Sequence, residues 1–176
     1  MKKMNYLFGA LALGALTIAS CSDDDNNSND VGIAGSYELE KVNTERATDF
    51  DKDGTENIDQ TEESDCYDAG RIRLNSDNTF TYTITGILID ETDGSVGCKN
   101  SFQASGTWEL QSGTDDNAVI SAAYEDQNGD DQVITLVKSG RTLTYADDNI
   151  LSSYPDRNAA GEAVYTPGSV TYVFEK

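Results

Sequence analysis

The residues of this 176-residue chain best placed to do chemistry lie in one acidic run, "DFDKDGTENIDQTEE", from Asp49 to Glu63. Asp49, Asp51 and Asp53 stand at alternate positions and Gly54 follows, which is how a calcium loop opens. A hard divalent cation takes carboxylate and carbonyl oxygens, and a glycine at the sixth place permits the sharp turn that gathers them. In that pattern Thr55 offers its carbonyl and Asn57 stands at the ninth position. The twelfth position calls for a bidentate glutamate but holds Gln60, with Asp59 and Glu62 only nearby, and no helix pattern flanks the run. An EF-hand is therefore not expected. The plainer reading is an acidic surface loop; the sharper alternative is calcium held by Asp49, Asp51, Asp53, Thr55 and Asn57.

Catalysis finds little support. Histidine is absent, so neither a Ser-His-Asp nor a Cys-His arrangement can be built, and zinc loses its commonest nitrogen ligand. No phosphate-cradling glycine loop occurs. With 32 Asp and Glu residues, candidate carboxylate pairs for glycoside hydrolysis are too many for spacing to single one out. The formal net charge of −20 repels nucleic acid and anionic headgroups, so neither is an expected partner. A non-catalytic protein is expected.

The cysteines are Cys21, Cys66 and Cys98. A reactive thiol needs a basic neighbour to form thiolate, and only Lys99 offers itself. In an exported chain Cys66 and Cys98 are expected to form a disulfide. Closing a loop of roughly 33 residues would contribute about 3.5–4 kcal/mol in the chain-entropy account.

Export is what the first residues suggest. Lys2 and Lys3 precede an apolar run from Leu7 to Ile18, and Ala19-Ser20 follow, the three parts of a secretory signal over residues 1–20. The apolar run is too short to span a hydrocarbon core of about 30 Å. Ile18-Ala19-Ser20-Cys21 resembles the bacterial lipobox. That resemblance implies a Cys21 diacylated on sulfur at the head of the mature chain, with a conventional or uncleaved signal as the alternative. Each acyl CH₂ buried in a bilayer contributes roughly 0.8 kcal/mol, so two or three chains hold a domain durably. Residues 21–32, with "SDDDNNSND", lack the apolar side chains needed to order themselves and read as an acidic tether, reaching roughly 18 Å. Ser22-Asp23-Asp24-Asp25 behind that cysteine resembles the export signal of surface lipoproteins in Bacteroidetes-type bacteria. It implies the cell surface, at the outer membrane, with the periplasmic face as the alternative.

The remainder, residues 33–176, reads as strand and turn. Segments starting at Ser36, Arg71, Thr79, Ser101, Ala118, Gln132, Arg141 and Ser169 alternate with period two and are rich in β formers, the third running on to Ile89 and the fourth carrying its inward phase to Leu110. Turn signals part them at Ser112-Gly113, Asn128-Gly129 and Ser139-Gly140, Asn128-Gly129 being the signature of a two-residue hairpin. Only Asn43–Asp65 and Asp147–Gly168 are long and unpatterned. Eight antiparallel strands satisfy their edges most simply by closing into an all-β up-and-down barrel; a Greek-key β-sandwich is the alternative.

Gly35-Ser36-Tyr37, the turn Asn75 to Phe80, and Gly106-Thr107-Trp108-Glu109-Leu110 together resemble the lipocalin-like domain of Bacteroidetes lipoproteins, with Tyr37 where lipocalins place tryptophan. The resemblance implies the barrel and a cell-envelope location. It implies no particular ligand.

Alternation turns Tyr37, Phe80, Tyr82, Ile84, Phe102, Trp108, Tyr145 and Tyr172 toward the interior, as cavity wall or as filled core. In the long stretch before the last strand, Tyr154 and Tyr165 read as a lid or as pins. The expected role is binding of a small apolar or amphipathic ligand. The alternative is a filled barrel whose long loops bind an envelope protein or a glycan.

Overall fold

The computed structural model describes residues 32–90, 92–148 and 152–176. The signal segment, Cys21 and the tether up to residue 31 lie outside the described residues.

Among the described residues thirteen strands are formed: β1 Gly35–Thr48, β2 Asn57–Asp59, β3 Arg71–Leu74, β4 Thr79–Ile84, β5 Ile87–Ile89, β6 Val96–Cys98, β7 Phe102–Gly113, β8 Asn117–Glu125, β9 Asp131–Ser139, β10 Thr142–Asp147, β11 Ser153–Arg157, β12 Ala163–Pro167 and β13 Val170–Glu175. Eight of them pair in the order β13-β10-β9-β8-β7-β4-β3-β1, and β13 pairs back to β1. All the pairings are antiparallel. The sheet is thus a closed eight-stranded barrel with β2 added on β1, and the sandwich alternative falls. Closure removes the free edges that eight short strands would otherwise expose.

Period two explains the interior. Ile72 and Leu74 on β3, Phe80 and Tyr82 on β4, Ala104 and Trp108 on β7, and Ile120 and Ala122 on β8 turn inward and are buried, as are Leu136, Leu143 and Phe174. Fully burying one such large apolar side chain contributes about 1.5–3 kcal/mol. Gly106 sits where a Cβ would stand 1.9 Å from the Ala123 carbonyl oxygen and 3.0 Å from the Phe80 ring. Only a glycine lets β7, β8 and that ring meet so closely.

Four sequence expectations are corrected. The run from Thr79 to Ile89 is not one strand. It breaks after Ile84, and Ile87–Ile89 pairs with Val96–Cys98 in a separate hairpin. Both long stretches contain structure: β1 continues to Thr48 with β2 beside it, and β11 pairs with β12. Leu110, on the inward phase, is 46% exposed where the β7–β8 register shifts. The turn at Asn128-Gly129 is a loop over residues 126–130, because the Asp126 carboxylate accepts the N–H groups of Asn128 and Asp130 and competes with a two-residue turn.

The two barrel ends differ. At one end the connections are short and the entrance is plugged. Ile33 joins the core, the Tyr37 hydroxyl donates to its carbonyl at 2.7 Å, and the Lys176 ammonium donates to the carbonyls of Gly32 and Ala34. The Trp108 indole N–H donates to the Asn75 carbonyl at 2.9 Å. Up-and-down order sends the three long connections, residues 49–70, 85–101 and 148–169, to the opposite end. There a second core of Val42, Phe50, Tyr67, Ile87, Ile89, Tyr154 and Val170 forms beside the barrel, and the Cys66–Cys98 disulfide ties the first connection to the second.

Candidate functional site: the aromatic mouth of the barrel

The open end is where the inward faces of the strands run out. β4 ends with Tyr82 and Ile84, β7 begins with Phe102, β8 closes on Tyr124, and β10 and β13 bring Tyr145 and Tyr172. Tyr145 and Tyr172 are directly opposed in the β10–β13 ladder, and their rings stack at 5.7 Å with an 11° interplanar angle. Tyr82 stands edge-on to Phe102, Tyr145 and Phe174 at 6.0, 6.4 and 6.4 Å. Tyr124 closes the circle against Phe102 at 6.0 Å and Phe80 at 6.2 Å. Each such pair adds about 0.5–1.5 kcal/mol beyond area burial. Tyr82 is buried as the floor, whereas Ile84, Phe102, Tyr124, Tyr145 and Tyr172 are only half-buried.

The phenols at this mouth are neutral and hard to ionise. Burial, then the Asp147 carboxylate, pushes Tyr172 up to about 12. Burial first, with Asp147 among the further causes, also raises Tyr82, Tyr124 and Tyr145. Asp147 ends β10 on the same face as Leu143 and Tyr145, and its carboxylate accepts the Ser152 hydroxyl at 2.5 Å. Beside the rim a cleft of about 230 Å³ is bounded by Ile84, Phe102 and Tyr172 from the barrel and by Tyr67, Lys99 and Tyr165 from the loops.

Of the residues expected to line a cavity, Ile84, Phe102, Tyr145 and Tyr172 meet at this mouth with Tyr82 beneath them. Phe80 lies deeper, and Tyr37 and Trp108 belong to the plugged end. Sequence reasoning passed over Asp147 as one acid among many, although the phase of Leu143 and Tyr145 already places it on the inward face. Tyr154 and Tyr165 both act as pins: Tyr154 is buried in the second core, and the Tyr165 hydroxyl bonds to β5.

The acidic loop is built differently from a calcium loop. Carboxylate oxygens of Asp49, Asp51 and Glu63 lie within 4.8 Å of one another. Asp53 turns away to accept the Thr55 N–H at 2.7 Å, and the Asn57 amide donates to Glu63 at 2.8 Å. Gln60, in the twelfth place, is wholly buried and donates to the Thr48 hydroxyl. Glu63, missed by the sequence pattern, is the buried member, and its carboxylate accepts the N–H groups of Phe50 and Asp51 at 2.6 and 3.1 Å. Two oxygens on one calcium ion stand at most about 5 Å apart, so these three carboxylates could share one ion, and the Asn57 amide reaches the same cluster through Glu63.

Neither a protein-family model, nor a curated protein, nor a solved structure matches the chain.

Proposed function

We propose that this chain is a lipocalin-like lipoprotein of the bacterial cell envelope, anchored through an acylated Cys21 and displayed at the outer membrane surface. Its barrel binds a small apolar or amphipathic molecule at the mouth and performs no chemistry on it. The observation that carries this reading is the half-buried aromatic ring of Phe102, Tyr124, Tyr145 and Tyr172 above Tyr82. Apolar walls with a few fixed hydroxyls are what small-molecule sites usually present. The deeper interior is occupied by Phe80, Leu136, Leu143 and Phe174, which supports a site at the mouth over one at the barrel centre.

The test is a titration of the neutral fluorophore phenylnaphthylamine into the whole chain carrying Cys21→Ser, which removes acyl groups from competition. Saturable one-to-one binding is expected, weakened severalfold by Tyr172→Ala; unsaturable binding overturns the reading. Incorporation of radiolabelled palmitate into the wild type, absent from Cys21→Ser, tests the anchor.

A second reading makes the loops the working part, steadied by calcium, and the convergence of Asp49, Asp51 and Glu63 favours it. Millimolar calcium would then raise the melting temperature, and Asp51→Asn would abolish the rise. An unchanged melting curve removes this reading.

A further inference from the structure

The mouth carries a charge asymmetry as well as rings. Asp147 stands two ladder positions beyond the stacked Tyr145–Tyr172 couple: Tyr145 opposes Tyr172, and Asp147 opposes Val170 in the same ladder. Residues two apart on a strand share a face, so Asp147 lies on the same face as Tyr145, next along β10. Three ring-bearing strands complete the enclosure through Tyr82, Phe102 and Tyr124. Among the described residues, the charged side chains that raise the four phenols are carboxylates: Asp147 on each of them, Asp126 on Tyr124 and Asp148 on Tyr145. Lys99, the basic residue of the neighbouring cleft, is held over the Tyr165 ring at 5.7 Å. The chain as a whole carries −20.

Ring faces present negative potential, so aromatic enclosures with a nearby carboxylate select organic cations. An anionic ligand would face Asp147 at short range in a partly desolvated site, where repulsion is poorly screened. We infer that the mouth selects a cationic amphipath, an ammonium head joined to an apolar body, with the head between the aromatic rim and the Asp147 carboxylate and the body on Ile84, Phe102 and Tyr82. The inference rests on the mouth being a binding site and adds the chemical class of its ligand.

The experiment compares two isosteres by calorimetry on the whole Cys21→Ser chain: naphthylmethyl-trimethylammonium and its uncharged counterpart neopentylnaphthalene, with naphthalenesulfonate as the anionic arm. The cation is expected to bind about tenfold more tightly than the neutral isostere, the ratio that a cation–aromatic contact in a partly desolvated site supports, and the sulfonate more weakly than either. Asp147→Asn should lower the cation-to-neutral ratio while leaving the part that the rings supply, and it should relieve the penalty on the sulfonate. If the neutral compound binds as tightly as the cation, the selectivity is overturned while the mouth stands as a binding site. If none of the three binds, the mouth reading itself fails. The wild-type comparison decides the matter even if the Asp147 variant does not fold.

Discussion

The Tyr165 hydroxyl donates to the Ile87 carbonyl at 2.7 Å, across 78 positions of sequence, and accepts the Ile89 N–H at 3.3 Å. Ile87 and Ile89 are the buried residues of the three-residue strand β5, whose ladder partner on one side is β6. On its other side one phenol takes the place of a further strand, satisfying a donor and an acceptor together. Because a buried backbone group left unpaired costs about 1–3 kcal/mol, this side chain holds the β11–β12 hairpin to the loop that borders the mouth.

Tyr165→Phe should therefore destabilise the protein by about 1–2 kcal/mol and speed amide exchange at Ile89 far more than at Leu136 in the barrel wall. Denaturant unfolding together with native-state hydrogen exchange reads both. Exchange at Ile89 indistinguishable from wild type would remove the role given to the phenol.

The Cys66–Cys98 bridge joins residues 32 apart, with Cα atoms 5.3 Å from each other, and ties the first long connection to the second. Replacing both cysteines by serine is expected to cost about 2–4 kcal/mol, since the unfolded chain regains the freedom of a long loop. The loss should fall unevenly, because neither cysteine lies on a barrel strand. Near-ultraviolet dichroism should change in the loop tyrosines while the far-ultraviolet strand signal persists; collapse of both together would show that the barrel depends on the bridge.

Alkaline pH gives a third expectation. An unfolded tyrosine ionises near 10, and Tyr172 is pushed up to about 12, chiefly by burial; Tyr67, Tyr82 and Tyr145 are raised for the same first cause. Between these values the folded chain holds protons that the unfolded chain releases, so the stabilisation is complete below about pH 10 and is lost as pH rises toward 12. Tyrosinate absorbance should rise in two steps, the second coinciding with loss of the strand signal. A single step near 10 with the fold intact would contradict the burial assigned to these phenols.

The eight barrel strands were legible because each carries an alternating apolar face, the pattern that burial on one side of a sheet demands. β5, β6 and β11 were not. At three to five residues they are too short for period two to stand above chance, and their apolar side chains pack against a second core assembled from distant loops. The mouth was half legible: the phase of Phe102, Tyr145 and Tyr172 pointed inward, but phase says nothing of depth along the barrel. That is why Tyr37 and Trp108, on the same phase, sit at the plugged end. Glu63 was hidden for a related reason. It joins Asp49 and Asp51 through the β2 turn, a geometry that a fixed spacing rule for calcium loops does not describe.

The last expectation concerns Tyr154 and Gly168, where loop and barrel meet. The Tyr154 ring is buried in the second core, and a Cβ at Gly168 would stand 2.7 Å from the ring and 3.0 Å from the Glu45 carboxylate. Gly168 also donates its N–H to the Ser152 carbonyl, so the backbone there cannot easily retreat. Gly168→Ala should destabilise by about 1–3 kcal/mol through overpacking. The Tyr154 hydroxyl behaves oppositely. Arg46 holds its proton above the ordinary guanidinium range chiefly through a side-chain contact with this phenol, yet the pair falls short of true hydrogen-bond geometry, and the enclosed oxygen has no other partner among the described residues. An enclosed hydroxyl without a bond is a cost, so Tyr154→Phe should leave stability unchanged or raise it by up to about 1 kcal/mol. Both variants are compared by urea unfolding. A marked loss for Tyr154→Phe would mean that the Arg46 contact is a working hydrogen bond in solution, and a tolerated Gly168→Ala would mean that the ring can shift within the second core.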